Sequence, residues 1–201
     1  MSVEKARIRL ATAGDARQVL DIYAPLVRES PTSFELEPPT VEEVGRRISK
    51  CVGYAPWLAC ERGGVLLGYA YAGRWRERPA YRWSTETSVY VRGGERGRGL
   101  GRALYTALLA AVRLQGFYNA YAGITLPNAP SVRLHEALGF EPVGVYRRAG
   151  YKLGAWHDVG WWQLALRPPD AEPAEPRALS EICETAEWAE ALKSGEACLR
   201  D

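Results

Sequence analysis

Val89-Tyr90-Val91-Arg92-Gly93-Gly94-Glu95-Arg96-Gly97-Arg98-Gly99-Leu100-Gly101-Arg102 is the stretch on which the reading of this chain turns. Its first three residues close a β-branched and aromatic run that predicts a strand from Ser84 to Val91. Beyond it, Leu100, Ala103, Leu104, Ala107, Leu108, Ala111 and Val112 recur at helical spacing and predict an amphipathic helix. Glycines let the intervening backbone turn and approach a ligand, so that successive N–H groups point inward beside the positive end of the helix. Arg92, Arg96, Arg98 and Arg102 add cationic charge against the single Glu95. Strand, loop and helix together read as a pyrophosphate cradle. The cradle is not a P-loop, which ends in Gly-Lys-Ser/Thr, and Gly97, Gly99 and Gly101 do not give the G-x-G-x-x-G dinucleotide spacing.

Upstream, Ile8 and Leu10 alternate with Arg7 and Arg9 as a short strand, and Asp15 to Val27 carries apolar residues at helical spacing. Ser30 to Thr40 is a proline-containing loop, and the Thr40/Glu43 spacing opens a helix to about Lys50. Glu61-Arg62-Gly63-Gly64 separates two apolar runs, Trp57 to Cys60 and Val65 to Tyr71, as a hairpin turn would. Downstream, Asn119 to Leu126 reads as a strand, Asn128 to Leu138 as a helix stopped by Gly139, and Val143–Val145 with Val159–Leu166 as a final antiparallel pair. Without a strict βαβ rhythm, the expected fold class is α/β of the α+β kind: a mixed, mostly antiparallel central sheet flanked by helices.

The formal charge of +2 conceals a division. Residues 1–166 carry 22 Lys and Arg against 15 Asp and Glu, whereas residues 167–201 carry 4 against 9. The domains expected are therefore a basic body, 1–166, and an appended acidic, proline-rich linker with a short helix from Ser180 to Lys193 that presents Ile182, Ala186, Ala189 and Leu192 on one face. Removing residues 168–201 is expected to leave catalysis largely intact. No apolar run reaches the roughly 18 residues of a membrane span, and the N-terminus lacks a signal peptide's apolar stretch, which predicts a soluble cytoplasmic protein without a membrane partner. Cys51, Cys60, Cys183 and Cys198 share no ligand spacing with His135 and His157, so no metal is expected.

Arg96-Gly97-Arg98-Gly99-Leu100-Gly101 matches the pattern R-x-x-G-x-G and resembles the acetyl-CoA loop of the GNAT superfamily of N-acetyltransferases. Over about residues 6 to 166 the chain is similar to its phosphinothricin / methionine sulfoximine N-acetyltransferase family. That resemblance is carried by Tyr69-Ala70-Tyr71-Ala72-Gly73, Glu86-Thr87-Ser88-Val89-Tyr90-Val91, Gly123 to Asn128, Ser131 to Phe140 and Trp156-His157-Asp158-Val159-Gly160. The resemblance implies acetyl-CoA as co-substrate, with its pantetheine arm on the main chain of Val89, Tyr90 and Val91. It also implies that Arg96, Gly97, Arg98, Gly99, Leu100, Gly101 and Arg102 hold the pyrophosphate and that Asn128 sits near the thioester.

An ammonium group must lose a proton before it can attack a thioester, and the resemblance makes Glu86 the base. His135 stands where relatives protonate the leaving thiolate; seven residues beyond Asn128, it shares that residue's helix face. The segment holding Arg74, Arg76, Arg78 and Tyr81, together with Phe34, Thr87 and Ser88, is implied to bind a small amino-acid-like acceptor; arginine forks suit its carboxylate or phosphinate. His157 and Asp158 do not read as a dyad, since strand neighbours point to opposite faces. The family's dimers make a homodimer the expected partner. The alternatives are, within the same chemistry, an acetyltransferase for a protein N-terminus or other amine and, from another class, a non-catalytic acetyl-CoA-binding module. Nucleic acid is not an expected partner, because the arginines concentrate in the loop and the acceptor segment.

Overall fold

Seven strands form one sheet in the computed structural model, which describes residues 4–199. The chain runs β1 (Arg7–Leu10), α1 (Ala16–Glu29), α2 (Val41–Val52), β2 (Trp57–Arg62), β3 (Val65–Arg74), β4 (Ser84–Val91), α3 (Leu100–Gln115), β5 (Asn119–Leu126), α4 (Ala129–Glu136), β6 (Glu141–Lys152), β7 (Ala155–Ala165) and α5 (Ala186–Glu196). The sheet order is β1-β2-β3-β4-β5-β7-β6, and every pairing is antiparallel except β4 with β5.

The sheet's middle is covered on both faces, which is why its strands read as continuous apolar runs rather than alternating ones. Successive β2 residues go to opposite layers: Trp57 and Ala59 pack with Val19, Ile22, Val44 and Ile48 of α1 and α2, while Leu58 and Cys60 pack with Leu104, Leu108 and Val112 of α3. On β3, Tyr69 and Tyr71 belong to the first layer and Ala70 and Ala72 to the second. Arg9 ties β1 to its neighbours by bonding Asp15 at 2.7 and 2.8 Å and Glu61 at 2.6 and 2.8 Å.

Two expectations need correction. β6 is far longer than Val143–Val145, and β7 begins at Ala155 rather than Val159. Nearly all of β6 is exposed, so it has no inward face to print an apolar alternation, and its register shifts between Tyr146 and Gly150. The tail helix begins at Ala186 rather than Ser180, after a 3-10 turn at Leu179–Glu181. Its packed face is Trp188, Ala191 and Gly195, with Ile182 buried ahead of it, whereas Ala186 and Ala189 are exposed.

The tail is seated on the body. Trp83 Nε1 donates to Ala174 O at 2.8 Å, Arg177 N donates to Gln115 O at 2.7 Å, and Glu196 Oε1 accepts from Ile8 N at 2.7 Å on the edge strand. A Cβ on Gly195 would overlap Ala103 O, so α5 approaches α3 as closely as two helix backbones allow.

Candidate active site

Strands β4 and β5 are paired at only three positions, Ser84↔Asn119, Thr85↔Ala120 and Glu86↔Tyr121. β4 then stays with β3 as far as Val91, and β5 stays with β7 as far as Leu126. The two strands therefore separate immediately after Glu86, and their facing backbone groups lose a strand partner. Thr87 Oγ1, donating to Tyr121 O at 3.3 Å, bridges the point of divergence. The opening continues as a cleft of about 550 Å³ lined by Val89, Tyr90, Val91, the glycine loop and α4.

The loop takes the conformation its composition demands, with Gly94, Gly97 and Gly99 at φ of +85°, +83° and +82°, the left-handed region closed to most side chains. Gly99 is the N-cap of α3, so the N–H groups of Leu100, Gly101 and Arg102 have no partner within the helix and lie at the cleft wall. A Cβ on Gly101 would come within 3.1 Å of Leu134, which makes this glycine the contact that lets α4 close on α3. Arg96 and Arg102 line the cleft, Arg98 pairs with Glu95 at 3.2 Å, and Arg92 turns away to donate to Leu66 O at 2.6 Å. Unpaired strand backbone, free helix N–H groups and unopposed arginines fit a phosphopantetheine thioester.

At the inner end of the cleft, a pocket of about 60 Å³ is lined by Thr87, Ser88, Tyr105, Asn128 and His135, among others. Asn128 caps α4, its Oδ1 accepting from Ser131 N at 3.2 Å, which leaves its NH2 group for the pocket. His135 is buried: Nδ1 lies 2.8 Å from Ser131 O and Nε2 lies 2.9 Å from the Tyr105 hydroxyl. A carbonyl can only accept, so the imidazole N–H is on Nδ1 and Nε2 accepts from Tyr105. Burial lowers the His135 pKa and keeps the ring neutral.

Glu86 faces the opposite side of the sheet from Tyr105. Opposed residues of an antiparallel pair share a face, so Glu86, Ser88 and Tyr90 stand with Gly73, Tyr71 and Tyr69 on the α1/α2 side. Burial raises the Glu86 pKa and the nearby Arg76 guanidinium opposes that shift, which moves the carboxylate toward the range of a working base. Arg76 lies 4.8 Å from the Trp75 ring centroid and 5.9 Å from that of Trp161; Trp75 stacks on Tyr121 at 4.2 Å.

Other acceptor residues expected from the sequence are dispersed. Tyr81 meets Trp75 edge-on at 5.1 Å, and the Phe34 ring lies over Gly150 and 6.4 Å from His157. Arg74 lies 4.3 Å over the Tyr54 ring and faces a different cavity, and Arg78 is exposed before a 3-10 turn. His157 bonds Lys152 O and Asp158 accepts from Arg147 and Arg148, so the two form no dyad. Sequence reasoning missed Tyr105, Trp75, Tyr121 and Trp161. For Tyr105 a signal existed: a phenol among the apolar residues of α3 needs a buried partner.

Residues 8–161 match the family model described as an acetyltransferase (GNAT) domain. The phosphinothricin N-acetyltransferase of Streptomyces viridochromogenes is 45% identical over 184 residues, covering 90% of this chain and all of that one. The L-methionine sulfoximine/L-methionine sulfone acetyltransferase of Pseudomonas aeruginosa is 42% identical over 121 residues, 60% of this chain and 70% of that one. The crystal structure of a phosphinothricin acetyltransferase from Sinorhizobium meliloti in complex with AcCoA superposes with a TM-score of 0.81 at 35% identity, covering 85% of this chain and 94% of that one. With its strands parted at Glu86 and a glycine cradle opening α3, the chain belongs to the GNAT family of acetyltransferases and takes acetyl-CoA as co-substrate.

Proposed function

We propose that the enzyme moves the acetyl group of acetyl-CoA to the α-amino group of a small amino-acid-like acceptor, the class that includes phosphinothricin and methionine sulfoximine. The observation that carries this reading is the position of Glu86 at the mouth of the splay, with Arg76, which has no carboxylate ion pair among the described residues, close enough to act on its carboxylate. The co-substrate supplies an activated thioester. Glu86, directly or through a water, takes a proton from the acceptor ammonium, and the freed amine attacks while Arg76 holds the acceptor carboxylate. Cys51 and Cys60 are both pushed up to about 12 by burial and stay thiols, so direct transfer in a ternary complex is favoured over an acyl-enzyme. Purified protein should release CoA with α-amino acids in a panel; activity on a peptide and on no free amino acid would overturn the acceptor class.

The homodimer belongs to this proposal. Val143, Tyr146, Tyr151 and Trp156 on β6 and β7 are each more than half exposed, a concentration of apolar surface that suits burial against a second copy. Light scattering should give twice the chain mass, and Trp156→Glu should reduce it. A cytoplasmic setting, and site residues that all lie within 1–166, complete the reading.

A further inference from the structure

A second cavity of about 330 Å³ lies apart from the cofactor cleft, between the α1/α2 pair and strands β2 to β4. Its wall is an aromatic ladder. Trp57 stacks on Tyr71 at 4.3 Å and on Tyr69 at 5.6 Å, Tyr69 stacks on Tyr90 at 5.1 Å, and Tyr23 meets Tyr90 edge-on at 5.3 Å. Val19, Val44 and Cys51 close it from the helices, and charged residues share the lining: Arg47 is paired with Glu35 at 2.6 Å, Arg74 lies over Tyr54, and Lys50 and Glu77 complete it.

The cavity runs toward the catalytic carboxylate. Its floor residues Tyr69, Tyr71 and Gly73 are the cross-strand partners of Tyr90, Ser88 and Glu86 on the same face. A Cβ on Gly73 would meet nothing within 4 Å, so the cavity is open at Gly73, the cross-strand partner of Glu86 and the one floor position without a side chain. An amine held at Glu86 thus has its own side chain directed along an aromatic wall. A side chain the size of a methyl group would leave most of this volume empty, whereas a flat ring fills it and stacks.

We propose that this cavity is the side-chain subsite of the acceptor and that the preferred acceptors are amino acids with a large aromatic side chain. The proposal rests on the reading of the chain as an amino acid acetyltransferase and adds which amino acids it selects. Burial of the ring against the aromatic wall supplies the affinity.

Initial rates with L-phenylalanine, L-tryptophan, L-alanine and L-methionine sulfoximine test it. The aromatic acceptors should exceed L-alanine in kcat/KM by about 100-fold, the scale on which an apolar pocket discriminates. Cys51→Phe, which fills the cavity from α2, should cut the phenylalanine-to-alanine ratio at least about tenfold. Equal kcat/KM values for phenylalanine and alanine, or an unchanged ratio in a folded Cys51→Phe protein, would overturn the proposal. A measurement on the unaltered chain stands apart from turnover: L-phenylalanine, and not L-alanine, should shift the NMR signal of the Trp57 indole N–H. That shift without acetylation of any amino acid would remove the proposed activity while retaining the subsite; amino acid turnover without the shift would do the reverse.

Discussion

The Tyr105 hydroxyl sits 2.9 Å from His135 Nε2, and the two side chains bridge α3 to α4 beneath the point where β4 and β5 separate. Because Nδ1 is committed to Ser131 O, Tyr105 donates toward His135, and the one imidazole proton is held by the Ser131 carbonyl. The pair is neutral on both sides: burial lowers the His135 pKa and raises that of Tyr105. On this geometry we propose that His135, expected from the sequence to protonate the leaving thiolate, instead acts as a positioning residue through Tyr105.

A kinetic consequence follows for His135→Gln, which can still accept from Tyr105. A proton donor's removal costs about 10²- to 10⁴-fold in kcat; loss of positioning should leave kcat within about tenfold and weaken acetyl-CoA binding instead. Steady-state kinetics with varied acetyl-CoA separates the two. Stability adds a second readout. The folded His135 pKa lies below the usual 6.5, so the unfolded chain binds the extra proton first. The contribution of this neutral ring is complete above about pH 6.5 and is lost as pH falls toward the lowered value, so thermal melts of His135→Gln should show a shallower decline on the acid side.

Glu86 titrates under two opposed influences, burial upward and Arg76 downward. The acid limb of kcat/KM against pH should lie above the 4.5 of an ordinary glutamate. Arg76→Gln removes the stabilising cation, so the limb should move to higher pH, with an accompanying rise in acceptor KM. Glu86→Gln should lower kcat by about 10²- to 10⁴-fold and abolish the limb. An acid limb unmoved in Arg76→Gln would separate the two residues.

How far this site could be read from the sequence depended on how local each signal was. The strand, glycine loop and helix from Ser84 to Gln115 were legible because φ preference, periodicity and charge agree within one continuous segment. The start of α4 at Asn128 was legible for the same reason. The hydrogen bonds of His135 were not, since they involve Tyr105, thirty residues away, and a tautomer set by Ser131. The acceptor arginines diverged because β3 ends at Arg74 and the chain bends at Trp75: Arg74 stacks on Tyr54, whereas Arg76, beyond the strand, reaches Trp75 and Trp161. β6 was nearly invisible, as an exposed strand carries no buried face for alternation to mark.

Gly150 gives a test of Phe34 that avoids altering Phe34. A Cβ at Gly150 would fall 2.5 to 2.8 Å from the Phe34 ring, whose half-exposed far end can swing aside at little cost. Gly150→Ala should therefore leave the melting temperature nearly unchanged while displacing an acceptor-side aromatic. The expected outcome is a raised acceptor KM with an unaltered KM for acetyl-CoA. A change confined to acetyl-CoA would take Phe34 out of the acceptor site.

The tail is the sharpest divergence between composition and packing. An acidic, proline-rich segment reads as dispensable, yet Leu179, Ile182, Trp188 and Ala191 are at most 6% exposed, and Glu196 satisfies a backbone N–H of the edge strand. Burying three large apolar side chains contributes about 1.5–3 kcal/mol each, against a typical total stability of about 5–15 kcal/mol. Deleting residues 168–201 also uncovers α3, the helix that carries the phosphate cradle. The truncated chain should melt well below the full chain or fail to fold, in contrast to the sequence expectation that catalysis survives. Gly195→Val provides a finer probe, because its side chain would meet the Ala103 carbonyl, which belongs to backbone and cannot swing aside. This variant should lower the melting temperature and leave acceptor selectivity intact. A truncation that melts with the full chain and keeps its acetyl-CoA turnover would return the tail to an accessory role.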